Sequence, residues 1–113
     1  MYVEMLRNNQ VKVIHLNCQR LDAFNADDLF EQIKESISGP YQVVIDLEKL
    51  ELIDSSGLGL LLNCYKVLQK EGGTLRVVAR NKVVLSLFEL VYFSNIVEVH
   101  KSLTNAVNLP QAG

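Results

Sequence analysis

At 113 residues the chain is sized for one compact domain built around one core. Hydrophobic residues make up 49% of it, which excludes global disorder, and a formal net charge of −2 excludes general affinity for nucleic acid. Lys66, Lys70, Arg76, Arg80 and Lys82 are interleaved with apolar residues, so no basic patch offsets that balance.

Taken in chain order, Tyr2 to Leu6 reads as a short strand and Arg7-Asn8-Asn9-Gln10 as a turn, the asparagines tolerating positive φ. Val11 to Leu16 partly alternates and reads as a second strand, antiparallel to the first. A helix is expected after Asn25, whose side chain suits a cap. Asp27 and Asp28 complement the dipole there, and Leu29, Phe30, Ile33 and Ile37 recur at helical spacing. Ser38-Gly39-Pro40 stops that helix. Gln42 to Leu47 contains the β-branched run Val43-Val44-Ile45, the pattern of a strand buried on both faces.

The second half continues the alternation. A helix is predicted from Leu58 to about Lys70, ended by Glu71-Gly72-Gly73, and a strand over Leu75 to Ala79. Asn81 suits the cap of a helix carrying Val84, Leu87, Phe88 and Val91. Ile96 to Val99 reads as a last strand and Ser102 to about Val107 as a last helix. A weakly ordered tail is expected from about residue 108, containing Pro110. Strand–helix alternation of this kind predicts an α/β domain with right-handed crossovers, and the opening hairpin makes its central sheet mixed.

No apolar run is long enough to cross a bilayer; Leu58 to Leu62 is the densest and is short. The N-terminus has no basic segment before an apolar core, so no signal peptide is expected. Cys18 and Cys64 lack CxxC spacing and read as small hydrophobes. Together these features point to a soluble cytoplasmic protein without membrane insertion.

The stretch Asp54-Ser55-Ser56-Gly57-Leu58-Gly59 concentrates the chemistry. Asp54, Ser55 and Ser56 are all good helix caps, so one can cap while another hydroxyl stays free. Gly57 and Gly59 cost helix stability, and such small residues let another backbone or a ligand come close. The following helix is apolar most of the way round. Leu58, Leu61, Leu62, Tyr65 and Leu68 form one face, and Leu60, Cys64 and Val67 a second that is a candidate docking surface. A phosphate on Ser55 would add nearly two negative charges at the positive end of a helix, where an anion is tolerated, yet it would oppose a partner closed over an uncharged hydroxyl. The same residues also serve a plain, well-capped helix start; the glycines and the second apolar face favour the switch.

Catalytic readings find little support. Ser55 lacks the glycine of a nucleophile elbow. His15 and His100 fall on predicted strands or their ends, and neither has an obvious aspartate partner in the sequence. With Cys18 and Cys64 they do not show zinc-ligand spacing, so no metal is expected. Gly57-Leu58-Gly59 begins like a dinucleotide fingerprint, but Leu62 occupies the third glycine position, and no P-loop lysine follows. Asp22 and Asp54 suit an acid–base pair or a metal less well than surface and capping roles. No enzyme activity and no cofactor are expected.

In Val44-Ile45-Asp46-Leu47, in Leu52-Ile53-Asp54-Ser55-Ser56-Gly57-Leu58-Gly59 and in the Tyr65 to Gly73 segment, the chain resembles the STAS domain family. The resemblance is specifically to bacterial anti-sigma factor antagonists. Leu21-Asp22-Ala23-Phe24 is similar to the family's earlier loop, although Cys18-Gln19-Arg20 lacks the glycine often found there. The resemblance implies a mixed sheet with helices mainly on one face. It also implies a mechanism: the unphosphorylated protein captures an anti-sigma factor, itself an ATP-binding serine kinase, and frees a sigma factor. Phosphorylation of the first serine, here Ser55, releases the complex, and a PP2C-type phosphatase resets it. Asp22, Asp54, Ser56, Gly57, Leu58 and Gly59 would surround Ser55. The family's other implied role is that of an adaptor or scaffold in a stress-sensing assembly or a lipid-transport ATPase complex.

Overall fold

The computed structural model describes residues 1–6 and 10–108. Most of the turn expected at Arg7 to Gln10 and the tail containing Pro110 lie outside the described residues. The elements run β1 (Tyr2–Leu6), β2 (Val11–His15), β3 (Arg20–Leu21), α1 (Ala26–Lys34), β4 (Gln42–Asp46), β5 (Leu52–Ile53), α2 (Ser55–Lys70) and β6 (Thr74–Val78). They continue with α3 (Lys82–Leu90), a 3-10 turn (Phe93–Asn95), β7 (Glu98–His100) and α4 (Leu103–Val107).

Five strands form one sheet in the order β1-β2-β4-β6-β7. β1 is antiparallel to β2, and the remaining neighbours are parallel. The mixed sheet opened by a hairpin is therefore the observed architecture. Alternation along the strands divides the core. Ile14, Val43, Ile45, Leu75 and Val77 share one face with the buried residues of α1, α2 and α3. Val11, Val13, Val44 and Val78 share the other with Ala106 of α4. Among the described residues three of the four helices thus cover one side, because each parallel crossover returns over the same face.

A second sheet escaped the sequence reading. β3 and β5 pair in parallel, Arg20 with Leu52 and Leu21 with Ile53. Two-residue strands carry no period and leave no pattern to read. Boundaries shift as well. α1 ends at Lys34 rather than reaching Ile37, which is still buried in the turn that follows. α2 begins at Ser55, ahead of Leu58. β7 starts two residues after Ile96, because Phe93–Asn95 form the 3-10 turn.

His15 also departs from expectation. Its Nδ1 lies 2.8 Å from Asp46 Oδ2 and its Nε2 lies 2.9 Å from Glu4 Oε1. Tyr2 stacks on its ring at 4.3 Å between centroids. The aspartate partner comes from a neighbouring strand, 31 positions away in sequence, which is why local reading missed it. The residue ties β1, β2 and β4 together across one face of the sheet.

Candidate functional site around Ser55

The site begins with a helix start made by Asp54. That residue has extended backbone, and its Oδ1 accepts from Ser56 N at 2.8 Å and Gly57 N at 3.1 Å. Two of the otherwise unpaired amides of the first turn are thereby satisfied. Its Oδ2 accepts from Ala23 N at 3.3 Å. One carboxylate therefore caps α2 and holds the loop between β3 and α1. Ser55 is the first helical residue and is exposed, while Ser56 is half-buried. Neither serine supplies the cap.

The neighbouring loop is organised by its own side chains. Asp22 is buried; its Oδ1 accepts from Phe24 N at 3.0 Å and its Oδ2 meets the Arg20 guanidinium at 3.1 Å. Asn25 was expected to cap α1, but it makes no side-chain cap. Instead its Oδ1 accepts from Asp22 N at 2.9 Å and its Nδ2 donates to Arg20 O at 2.7 Å, closing the loop on itself. The parallel register of β3 and β5, extended by one residue, sets Asp22 beside Asp54.

Gly57 and Gly59 play different parts. A Cβ on Gly57 would lie 2.5 Å from Leu21 O and 2.6 Å from Ile53 Cγ1, so the packing of α2 on the small sheet demands glycine there. A Cβ on Gly59 would meet nothing within 4 Å. Gly59 and Ser56 line a cleft of about 200 Å³ between α1 and α2, with Ala26, Phe30 and Asn63 among its walls. The fold itself gives no reason for glycine at position 59.

The second apolar face of α2 is a correction. Leu60 and Cys64 are buried in the core, and Val67 packs against it. That face is packed into the core rather than left for docking. Leu58 is half-buried, and Asn63 and Lys66 are exposed. The exposed apolar groups near Ser55 lie elsewhere. Phe24 is 92% exposed and Leu52 47% exposed, and they flank a cleft of about 210 Å³ that also touches Arg20, Asp22, Ala23, Ile53 and Asp54. For Phe24 the signal was an apolar residue just ahead of α1 and outside its helical period; Leu52, in a two-residue strand, left none. Among the described residues no group of three or more His, Cys, Asp or Glu side chains is placed to hold a metal ion.

The family model for the STAS domain matches residues 2–106. The chain belongs to the STAS domain family. This STAS domain is 29% identical over 107 residues to the anti-sigma F factor antagonist of Paenibacillus polymyxa, covering 93% of this chain and 91% of that protein. Among solved structures it matches an anti-sigma factor antagonist from Mycobacterium paratuberculosis with a TM-score of 0.79 and 27% identity, over 94% of this chain and 90% of that one. It also shares its fold with SpoIIAA, at 20% identity. The unphosphorylated form gives a TM-score of 0.74 over 95% of this chain and 92% of that one. The phosphorylated form, from Bacillus, gives 0.67 over 95% and 96%. These relatives share a regulatory role, the antagonism of anti-sigma factors. No described helix of this STAS domain is long and apolar enough to cross a membrane.

Proposed function

We propose that this STAS domain is an anti-sigma factor antagonist switched by phosphorylation of Ser55. In its unphosphorylated form it captures an anti-sigma factor that is also a serine kinase, and a sigma factor is set free. Phosphorylation of Ser55 releases the complex, and a PP2C-type phosphatase restores the hydroxyl. The exchange takes place in the cytoplasm, and the domain itself contacts no nucleic acid.

The observation that carries this reading is the division of labour at the start of α2. Asp54 does the capping, and Ser55 is left exposed at the first helical position. A phosphate there meets the positive end of the helix, so the fold tolerates it. In a closed interface the same dianion, beside exposed Asp54, would be buried without a counter-charge at a cost of several kcal/mol. A micromolar complex is held by about 8 kcal/mol, so that cost is enough to dissolve it. Asp22, Ser56, Gly57, Leu58 and Gly59 frame the hydroxyl, and Gly59 leaves the surface open for a partner. The names of the Paenibacillus and Mycobacterium relatives support the sigma-control role, and the phosphorylated form of SpoIIAA supports the switch.

The test is a pull-down from native-cell lysate with wild type, Ser55→Ala and Ser55→Asp as baits. Wild type and Ser55→Ala are expected to retain a small ATP-binding serine kinase that Ser55→Asp loses. Retention of one non-kinase partner by all three would make Ser55 a helix residue only and the protein a STAS adaptor.

A further inference from the structure

β1 is the outer strand of the five-stranded sheet. It pairs with β2 in an unbroken register from Tyr2 opposite His15 to Leu6 opposite Val11. Among the described residues no strand pairs with its other side, and Tyr2 to Met5 are exposed. An edge of this kind offers a row of amides and carbonyls to any strand that fits, and soluble proteins blunt it with proline, lysine, a bulge or a very short strand. Tyr2–Leu6 has no proline, lysine or bulge and is 5 residues long. The opposite edge, β7, is 3 residues long, carries Glu98 and His100, and is followed by Lys101. The single charge on β1, Glu4, is drawn onto His15 at 2.9 Å. Met1, Val3 and Met5 fall on one face by alternation and are 42%, 38% and 37% exposed.

We propose that β1 is a self-association edge. It pairs antiparallel with β1 of a second copy about a two-fold axis at Val3 and joins the two sheets into one. Symmetry selects this occupant. Residues directly opposite one another in an antiparallel pair share a face. An axis at Val3 sets Val3 against Val3 of the second copy and Met1 against its Met5, so apolar residues meet on that face. On the other face each Tyr2 lies opposite a Glu4 rather than one carboxylate opposite another. An axis at Glu4 would set two carboxylates opposite each other and is disfavoured. An isologous contact needs only this one strand to be complementary to itself. Five residues of ladder bury less than the roughly 800 Å² per partner of a stable complex, so the dimer is weak and concentration-dependent. Ser55 follows β4 and β5, two strands in from the paired edge, so the inference does not depend on the switch.

The test is sedimentation velocity on the full chain from about 10 µM to about 1 mM, the range that reports weak association. Wild type is compared with Val3→Lys and Leu90→Lys, and amide hydrogen exchange is followed in β1. Val3→Lys places two cations at the axis. Leu90→Lys alters the exposed apolar surface of α3, where Leu90 is 74% exposed. Wild type and Leu90→Lys are expected to dimerise with rising concentration, and Val3→Lys to need at least tenfold more protein, with its melting temperature unchanged. Protection of β1 amides should rise with concentration in wild type and in Leu90→Lys, and stay constant over the same range in Val3→Lys. A wild type monomeric throughout overturns the proposal. So does association lost in Leu90→Lys but kept in Val3→Lys, or association that leaves β1 protection constant.

Discussion

Gly57 stands against the carbonyl oxygen of Leu21 so closely that a methyl group on its Cα would lie 2.5 Å from that oxygen. The contact locks the first turn of α2 onto β3, and with it the loop that carries Asp22. Gly57→Ala is therefore expected to lose about 1–3 kcal/mol by overpacking. Gly59→Ala, with open space around its Cβ, is expected to gain up to about 1 kcal/mol from helix propensity. Urea unfolding of the two variants should move in opposite directions, and a loss for both would show that the first turn has less room than its geometry implies.

Asp54 has two duties, and substitutions can separate them from charge. Asp54→Ala removes the cap and the bond to Ala23 N and should cost about 1–2 kcal/mol. Asp54→Asn keeps a capping oxygen and should recover most of that. Hydrogen exchange at Ala23 and Gly57 would show the loop and helix start loosening together in the alanine variant.

The serines next to it should respond unequally. Ser55→Asp is expected to leave the melting temperature within a few degrees of wild type, because the charge sits at a helix N-terminus, while binding to the anti-sigma partner collapses. Ser56→Ala should still be phosphorylated. A phosphate mapped by mass spectrometry to Ser56 in the wild-type chain would overturn the assignment to Ser55.

His15 anchors Asp46, which is buried. His15→Ala leaves that carboxylate with its bond from Glu48 N at 3.0 Å but without the imidazole. A loss of about 1–3 kcal/mol is expected in chemical denaturation. Glu4→Ala, at the exposed end of the same chain of contacts, should cost well under half as much.

Burial pushes the Cys64 thiol from its ordinary value of 9.0 up to about 12, and burial also raises the half-buried Cys18. The thiol of Cys64 is thus neutral in the folded chain across the range where the unfolded chain ionises. The unfolded state then binds fewer protons, so stability falls as pH rises from about 9 to about 12 and is indifferent to this group below that window. Cys64→Ala should flatten that part of the pH profile, and thiol labelling at pH 8 should reach Cys64 only on unfolding.

Much of the fold was legible because hydrophobic period reports burial. Val43-Val44-Ile45 announced a strand covered on both sides, and Val44 faces α4 while Val43 and Ile45 face the other helices. A capped helix start near Asp54-Ser55-Ser56 was legible from their chemistry, but not which of the three caps it, nor that the helix begins at Ser55 rather than Leu58. The second face of α2 was misread because periodicity shows that a residue is apolar and not what covers it; Leu60 and Cys64 are inside the core and Val67 packs against it. Asn25 was misread because a side chain that can cap a helix can equally bond a loop, and Asp22 N and Arg20 O lay within reach.

The sequence by itself determined the order of the long strands and helices, the mixed sheet, the family and the serine near the head of α2. These depend on local preferences, on apolar spacing and on a contiguous motif. Only the tertiary structure decided that β3 and β5 pair, that Asp22 comes beside Asp54, that Gly57 is required and Gly59 is free, and that His15 finds Asp46. Those facts rest on contacts between residues some 30 positions apart, and such contacts exist only once the chain has closed its core.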